Sequence, residues 1–157
     1  MDGVEDRQSG FTLIEVMVSM LLLGLLMAIA VGPWKGFQEA RAHKETAQLI
    51  VGTMRNAQMS AVAESTKYRV AVTDSGKSLS VYQSPATGAE VFRTKVSVAD
   101  RRITLTGPAF TGATPPTSAF FFGRGSATAG QVLITRAGHP NIKILVEGLT
   151  GRVSISD

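Results

Sequence analysis

The stretch GFTLIEVMVSMLLLGLLMAIAVGPW, residues 10–34, decides what kind of protein this chain can be. Residues 11–31 are 21 consecutive residues in which Glu15 is the one charged side chain. A helix of that length is about 32 Å long, which matches a hydrocarbon core of about 30 Å. An ionisable residue inside a membrane span needs a partner and points to a function. The stretch therefore predicts a membrane-spanning helix with one functional carboxylate.

Three interpretations of this helix compete: a cleaved secretory signal, a plain membrane anchor, and a more specialised segment. Arg7 before the run and Ala28-Ile29-Ala30 near its end are typical of a secretory signal with an A-x-A cleavage site. Glu15 has no use in a secretory signal or a plain anchor. A cut after Ala30 would also divide a helix that the sequence predicts to continue.

The continuation is an amphipathic helix over residues 34–64. Its apolar stripe recurs at steps of three and four residues, which is the signature of one buried helix face. Gly32, Pro33 and Gly36 interrupt the pattern and predict a kink rather than an end. The whole element is then one bent helix about 80 Å long. The stripe consists of Ala40, Ala47, Ile50, Met54, Ala57 and Ala61.

From Lys67 onward the apolar period changes from 3.6 to two, which predicts short strands. Residues 74–77 separate the first two strands as a hairpin turn, and residues 107–118 are predicted to form a mobile surface loop. The fold class is α+β, a long N-terminal helix packed on an antiparallel sheet or sandwich. The strands are predicted at residues 68–73, 79–83, 90–96, 103–106, 119–122, 131–135, 142–146 and 152–155.

The composition contains no cysteine, which excludes disulfides, thiol nucleophiles and cysteine metal sites. The net charge is +4 for the 157 residues. Residues 67–157 carry eleven basic and five acidic residues, a net of +6. Such a surplus fits contact with anionic lipid or nucleic acid, and it is also common on ordinary solvated surfaces.

No catalytic, cofactor or metal constellation is present in the sequence. His43 and His139 are predicted to be ordinary exposed histidines rather than ligands or bases. Residues 123–125, Gly-Arg-Gly, indicate a turn, and residues 120–122, Phe-Phe-Phe, indicate a buried strand rather than a base-stacking platform. The pair at residues 101–102, Arg-Arg, is best explained as charge that protects a strand edge. The sequence therefore favours a non-enzymatic protein.

A short polar leader that ends in Gly10, followed by FTLIEVMVSMLLLGLLMAIA, resembles the N-terminus of type IV pilins and type II secretion pseudopilins. The resemblance implies that a prepilin peptidase cuts between Gly10 and Phe11 and methylates the new N-terminus. Glu15 becomes the fifth residue of the mature chain, close to the new amine. A buried carboxylate needs a cationic or hydrogen-bonding partner, and the Phe11 amine of a neighbouring subunit fits that need.

The resemblance also implies a domain plan and a set of partners. The plan is a cleaved leader at residues 1–10, a transmembrane and assembly helix at 11–33, an amphipathic half at 34–64 and a β-rich domain at 65–157. The partners are other pilin or pseudopilin subunits, the prepilin peptidase, an inner-membrane assembly platform and lipid. The β-rich domain lies outside the cytoplasm, although Lys35, Arg41 and Lys44 favour the opposite orientation by the positive-inside rule.

The C-terminal tail, residues 120–155, resembles the GspH/FimT-type minor subunits, which also end in paired strands and a Gly-Arg-Val stretch, here residues 151–153. Some FimT-type members bind DNA through a Gly-Arg-x-Arg motif, whose second arginine is replaced here by Ser154. The main hypothesis is a minor pilin or pseudopilin that initiates or caps a filament, and the alternative is a DNA-binding minor pilin. Possible nucleic-acid contacts are Arg101, Arg102, Arg124 and Arg152.

Overall fold

The computed structural model describes residues 10–156, and these form one helix followed by eight strands. The chain divides into two compact units, of which the first ends at Glu39 and the second begins at Ala40. The α+β fold class predicted from the sequence is confirmed. The elements are α1 (Leu13–Ala63), β1 (Lys67–Thr73), β2 (Ser78–Ser84), β3 (Val91–Ser97), β4 (Ile103–Phe110), β5 (Ser118–Phe121), β6 (Gly130–Arg136), β7 (Ile142–Val146) and β8 (Val153–Ser156).

Helix α1 runs without a break through Gly32 and Pro33, so the continuation predicted beyond Ala30 is confirmed. A kink at these residues stays a prediction. The helix ends in a reversed turn in which Thr66 N–H donates to the Ala61 carbonyl at 3.0 Å, and Ser65 has a φ of +50°. This is the hydrogen-bond pattern of a Schellman cap, with a serine at the position where glycine is usual.

The buried face of α1 follows the predicted stripe from Ala47 to Ala61, but it starts at His43 rather than at Ala40. Ala40 is exposed, because side-chain burial by the β-domain begins one turn later. His43 was predicted to be exposed and is buried at 3 % exposure. It lies one turn before Thr46 and Ala47 on the same face, and its Nε2 donates to the carbonyl oxygen of Ile134 at 3.3 Å. A backbone acceptor thus makes burial of the imidazole acceptable.

The eight strands form two antiparallel four-stranded sheets. Sheet 1 has the order β3-β2-β1-β5 and sheet 2 the order β4-β6-β7-β8. The hairpin predicted at residues 74–77 is confirmed, with a short 3₁₀ turn, Asp74–Gly76, between β1 and β2. Every predicted strand is present, and the largest difference in bounds occurs in β4.

Strand β4 extends to Phe110, so the first four residues of the loop predicted at 107–118 are strand. An irregularity in its pairing with β6, between Thr106 and Ala109, accommodates Gly107 at a φ of +55° and Pro108. A bulge of this kind allows a strand to continue past residues that normally end one. Arg101 and Arg102 lie in the turn before β4 and not on a strand edge, which corrects the role predicted for them.

One hydrophobic core joins the second half of α1 to the inner faces of both sheets. The side chains that fill it include Ile50 and Met54 of the helix, Phe121 of sheet 1, and Ile134 and Ile144 of sheet 2, all less than 2 % exposed. Phe120 is also buried, so the assignment of residues 120–122 to a buried strand is confirmed for its first two residues. Burial of this stripe is what fixes the helix on the domain.

Two carboxylates of the β-domain, Glu90 and Asp74, are ion-paired with Arg69 and Lys95. Arg69 Nη2 contacts Glu90 Oε2 at 2.5 Å, and Ser84 Oγ donates to Glu90 Oε1. The Arg69 guanidinium is the main reason that the pKa of Glu90 lies below its ordinary value of 4.5. The pKa of Asp74 is lowered too, chiefly by the Lys95 ammonium and then by Ser78.

We expect the free energy of unfolding to fall with decreasing pH below 4.5, the ordinary pKa of a glutamate. A carboxyl whose pKa is lower in the folded than in the unfolded state stabilises the fold at pH values above its unfolded-state pKa. This stabilisation is lost as the pH falls through the folded-state pKa. Glu90→Gln should therefore be less stable at pH 7 and show a flatter acid limb. Urea titrations between pH 7 and pH 3 test this, and an unchanged acid limb in Glu90→Gln would contradict it.

Candidate functional sites

The junction between Gly10 and Phe11 lies in non-helical chain just before α1. Both residues are exposed, and a Cβ placed on Gly10 would meet no atom within 4 Å. Residues 1–9 of the predicted leader lie outside the described residues. A peptide bond that must enter a protease has to be accessible, and the exposure of both residues meets that condition.

Glu15 is the third residue of α1, and Thr12 caps the helix before it. The Glu15 N–H donates to Thr12 Oγ1 at 3.3 Å and to the Thr12 carbonyl at 3.1 Å. Threonine followed three residues later by glutamate is the spacing of a capping box. From the sequence, Glu15 was interpreted as a charge alone, and the capping role of Thr12 was missed. The threonine hydroxyl was recognisable from this spacing.

The first part of α1 is a long, mainly apolar segment. The window Leu13–Ala30 has a mean hydropathy of 2.5, and none of it is buried. It is one helix that is long and apolar enough to cross a membrane. An exposed apolar surface this large needs lipid or other subunits around it. The carboxylate of Glu15 is exposed, and no ion pair among residues 10–156 includes it.

The four arginines proposed from the sequence do not form one site. Arg102 precedes the start of β4, which pairs with the end of β6. Arg152 precedes the start of β8, which reaches the start of β6 through β7. The two arginines therefore lie at diagonally opposite corners of sheet 2, whose four strands alone span about 14 Å. Because Arg101 is the sequence neighbour of Arg102, it is also far from Arg152.

Arg124 and Arg152, by contrast, lie on turns that contact each other. Gln58 of α1 bridges the turns, because its Nε2 donates to the Thr150 carbonyl at 3.0 Å and to the Gly125 carbonyl at 3.4 Å. Arg55, one helical turn earlier, donates through Nη2 to the Val153 carbonyl at 2.9 Å. Arg55, Arg124 and Arg152 are exposed, and the helix segment and the two turns that carry them are joined by these contacts; the three residues are called the arginine cluster below.

Sequence reasoning missed the helix residues of this cluster, since periodicity places Arg55 and Gln58 beside the stripe without showing what they face. It also missed the ion pair of the buried Arg136 with the partly exposed Asp100, at 3.1 Å. Arg136 ends β6, and nothing in its neighbourhood in the sequence distinguishes it from a surface arginine.

The ring centroids of His43 and His139 are 6.0 Å apart, and the two rings are arranged edge to face. No third metal-ligating side chain joins them in the described part of the chain.

Residues 6–31 match the family model described as the prokaryotic N-terminal methylation motif. No curated protein sequence matches the chain significantly. Among solved structures, the type IV minor pilin FimU of Pseudomonas aeruginosa is similar, with 17 % identity, a TM-score of 0.59 and coverage of 77 % of this chain and 92 % of that one. The minor pseudopilin EpsH of the Vibrio cholerae type 2 secretion system shares 15 % identity and a TM-score of 0.58, covering 72 % and 94 %.

These likenesses establish the fold of the chain, a long helix on antiparallel sheets as in minor pilins and pseudopilins. The matched residues include the Gly10–Phe11 junction, Glu15 and the exposed apolar window Leu13–Ala30. Motif and fold fit a membrane-anchored pilin with an extracellular globular domain. The chain thus carries the prokaryotic N-terminal methylation motif on a fold that is similar to those of a minor pilin and a minor pseudopilin.

Proposed function

We propose that this chain is a minor pilin or pseudopilin of a type IV pilus or a type II secretion pseudopilus, and that it initiates or caps filament assembly. The observation that carries the proposal is the methylation motif on a fully exposed apolar helix. The similarity of fold to FimU and EpsH, both minor subunits, supports the minor role. The subunit has no enzymatic activity and needs no cofactor.

The N-terminal residues act in sequence. A prepilin peptidase cuts between Gly10 and Phe11, and Phe11 receives the methyl group. The span at residues 11–33 holds the subunit in the inner membrane, with the β-rich domain outside the cytoplasm. The assembly platform then moves the subunit into the filament, where Glu15 pairs with the Phe11 amine of a neighbour. An isolated carboxylate in an apolar environment is costly, and pairing gives it a cationic partner. Pairing therefore favours the assembled subunit over the free subunit in the membrane.

The mature chain is expected to begin at N-methylated Phe11. Mass spectrometry of protein extracted from membranes of cells that contain the peptidase measures this directly. Gly10→Val, which keeps the helix and changes the residue before the cut, should leave the full-length precursor. A mature N-terminus at Val31 in the wild-type chain would contradict the proposal and restore the secretory signal.

DNA binding is a second candidate function, and the cluster of Arg55, Arg124 and Arg152 is the observation that favours it. Three neighbouring cations release few counterions, so the expected binding is non-specific, with a Kd of about 10⁻⁴ to 10⁻⁶ M at physiological salt. For duplex DNA, a plot of the logarithm of the binding constant against the logarithm of the salt concentration should have a slope no steeper than about −3. The function of the chain then remains structural, with weak DNA contact as a minor property.

Titration of labelled duplex into the full chain in detergent, at two salt concentrations, measures this binding. Arg152→Ala should weaken it more than the matched control Arg102→Ala, because Arg102 lies at the opposite corner of sheet 2. Nanomolar binding that is lost in Arg152→Ala would reverse the ranking and make DNA capture the main function.

A further inference from the structure

A groove of about 420 Å³ lies between the second half of α1 and the start of β8, and it is called the α1–β8 groove below. Two arginines line it, Arg55 from the helix and Arg152 from the turn before the strand, and no described acidic residue does. Two cations that share a groove repel each other, and an anion between them removes that cost. The groove therefore has the charge of an anion-binding site. Its other lining residues are Gln58, Met59, Thr150 and Val153.

The two arginines of the groove have no acidic partner in the described part of the chain. Arg55 donates through Nε and Nη2 to a single acceptor, the Val153 carbonyl, at 3.3 and 2.9 Å. A guanidinium carries five N–H groups in a planar fork, so Nη1 of Arg55 can still donate. The Arg152 side chain is exposed, and among the described residues only its backbone groups are hydrogen-bonded. Both guanidinium groups are therefore available to an anion from outside the chain.

The acids of the β-domain are already used within the chain, which makes a second copy a poor source of that anion. Five acidic side chains form ion pairs inside the domain, and each would exchange one cation for another by moving into the groove of a second copy. A sixth, Glu147, accepts from Thr150 Oγ1 at 2.8 Å in the turn that carries Arg152. A different chain with an unpaired acid gains more. The five paired acids are Glu45, Glu64, Asp74, Glu90 and Asp100.

Apolar side chains beside the two cations favour a protein over a nucleic acid as the partner. Met59 lines the groove and is 61 % exposed, and Leu149, in the turn that carries Arg152, is 94 % exposed. Arginine and methionine together are typical of protein interfaces. A nucleic acid backbone would leave these apolar groups uncovered, and so few cations hold it weakly. A carboxylate matches the guanidinium fork in shape and charge, and apolar neighbours of the acid would cover Met59 and Leu149.

We propose that the α1–β8 groove binds an aspartate or glutamate side chain of a different subunit of the filament. This inference rests on the proposed function, since it takes the partner to be another subunit of the same assembly. Arg55, which the Val153 carbonyl holds in place, and Arg152 both donate to the incoming carboxylate. Any DNA held by the arginine cluster uses the same cations and therefore competes with the subunit.

The test uses the full chain in cells that hold the other subunits. Arg152→Glu reverses one charge of the groove, and Arg101→Glu is the matched control, because Arg101 is exposed near the opposite corner of sheet 2. Both variants should be processed and unfold at similar thermal midpoints. Incorporation of Arg152→Glu into filaments or the initiating complex should fall about tenfold or more, whereas the control should match the wild type.

A photo-crosslinker at position 59 identifies the occupant of the groove. It should join a segment of a different processed subunit that contains an aspartate or glutamate, and changing that acid to arginine should restore incorporation of Arg152→Glu. Equal incorporation of Arg152→Glu, absence of this rescue, or a crosslink to a second copy or to DNA would each overturn the inference while the wild type still assembles. Failure of the wild type itself to be processed and incorporated would instead overturn the proposed function, and this inference with it.

Discussion

Glu15→Ala is expected to be processed and inserted normally and to be absent from assembled filaments. Processing depends on the exposed Gly10-Phe11 junction, which the change does not touch. In the proposed filament, removal of the carboxylate would leave the Phe11 amine of a neighbour without its partner in an apolar environment. Breaking one side of a buried ion pair costs about 3–5 kcal/mol, which corresponds to a loss of more than about a hundredfold in incorporation. Quantitative immunoblots of membrane and filament fractions measure it.

Two control variants separate the charge of Glu15 from its position in the helix. Glu15→Gln keeps the size of the side chain and removes the charge, so it should fail to assemble almost as completely. Thr12→Ala removes the hydroxyl that accepts from the Glu15 N–H at 3.3 Å, and it should cost only about 1 kcal/mol of helix stability. Normal assembly of Glu15→Gln would show that capping, and not the ion pair, is the role of the residue.

The elements of this fold were predictable because each follows from a local period. The change from steps of three and four to steps of two at Lys67 marks the end of the helix and the start of the strands. Eight short alternating runs gave eight strands, and the helix stripe from Ala47 to Ala61 gave the buried face. Sequence pattern predicts such elements well, because burial of one face selects the same period that the pattern shows.

What failed depended on contacts between distant parts of the chain. His43 is buried because the Ile134 carbonyl, 91 residues away, accepts from its ring. Ala40 continues the stripe by spacing, yet its side chain is exposed because no part of the domain covers it. Arg101 and Arg152 looked alike in sequence, and the strand order alone placed them at opposite corners of sheet 2. Order and register in a sheet are tertiary properties that local spacing does not encode.

The N-terminal motif was recognisable from the sequence because it depends on spacing along the chain, and the roles of Gly10, Phe11 and Glu15 stay predictions. The arginine cluster of the β-domain was not recognisable in this way. Arg55, Arg124 and Arg152 come from a helix and two turns, and Gln58 joins those turns through carbonyl groups that have no sequence signature. Gly151, which precedes Arg152, offers a direct test of the contact between the two turns, because a Cβ at this position would overlap the Gly125 carbonyl oxygen of the other turn.

Gly151→Ala is expected to destabilise the domain by about 2–5 kcal/mol. Gly151 has a φ of +63°, which costs a side-chain-bearing residue about 1–2 kcal/mol. In addition, a Cβ would overlap the carbonyl oxygen of Gly125 and lie 2.5 Å from Gln58 Nε2. The first of these groups is backbone and cannot move without opening the turn that carries Arg124. Overpacking of this kind costs about 1–3 kcal/mol more.

Gly138→Ala is the matched control, because Gly138 has a φ of +78° and no atom within 4 Å of its added Cβ. It should lose only the conformational part, about 1–2 kcal/mol. Urea unfolding of the full chain in detergent measures both variants, and equal slopes would show that their midpoints report stability alone. The excess loss in Gly151→Ala is then the contribution of the close contact between the two turns. If the two variants unfold at the same midpoint, the turns separate freely, and the glycine before Arg152 serves its own backbone conformation rather than the arginine cluster.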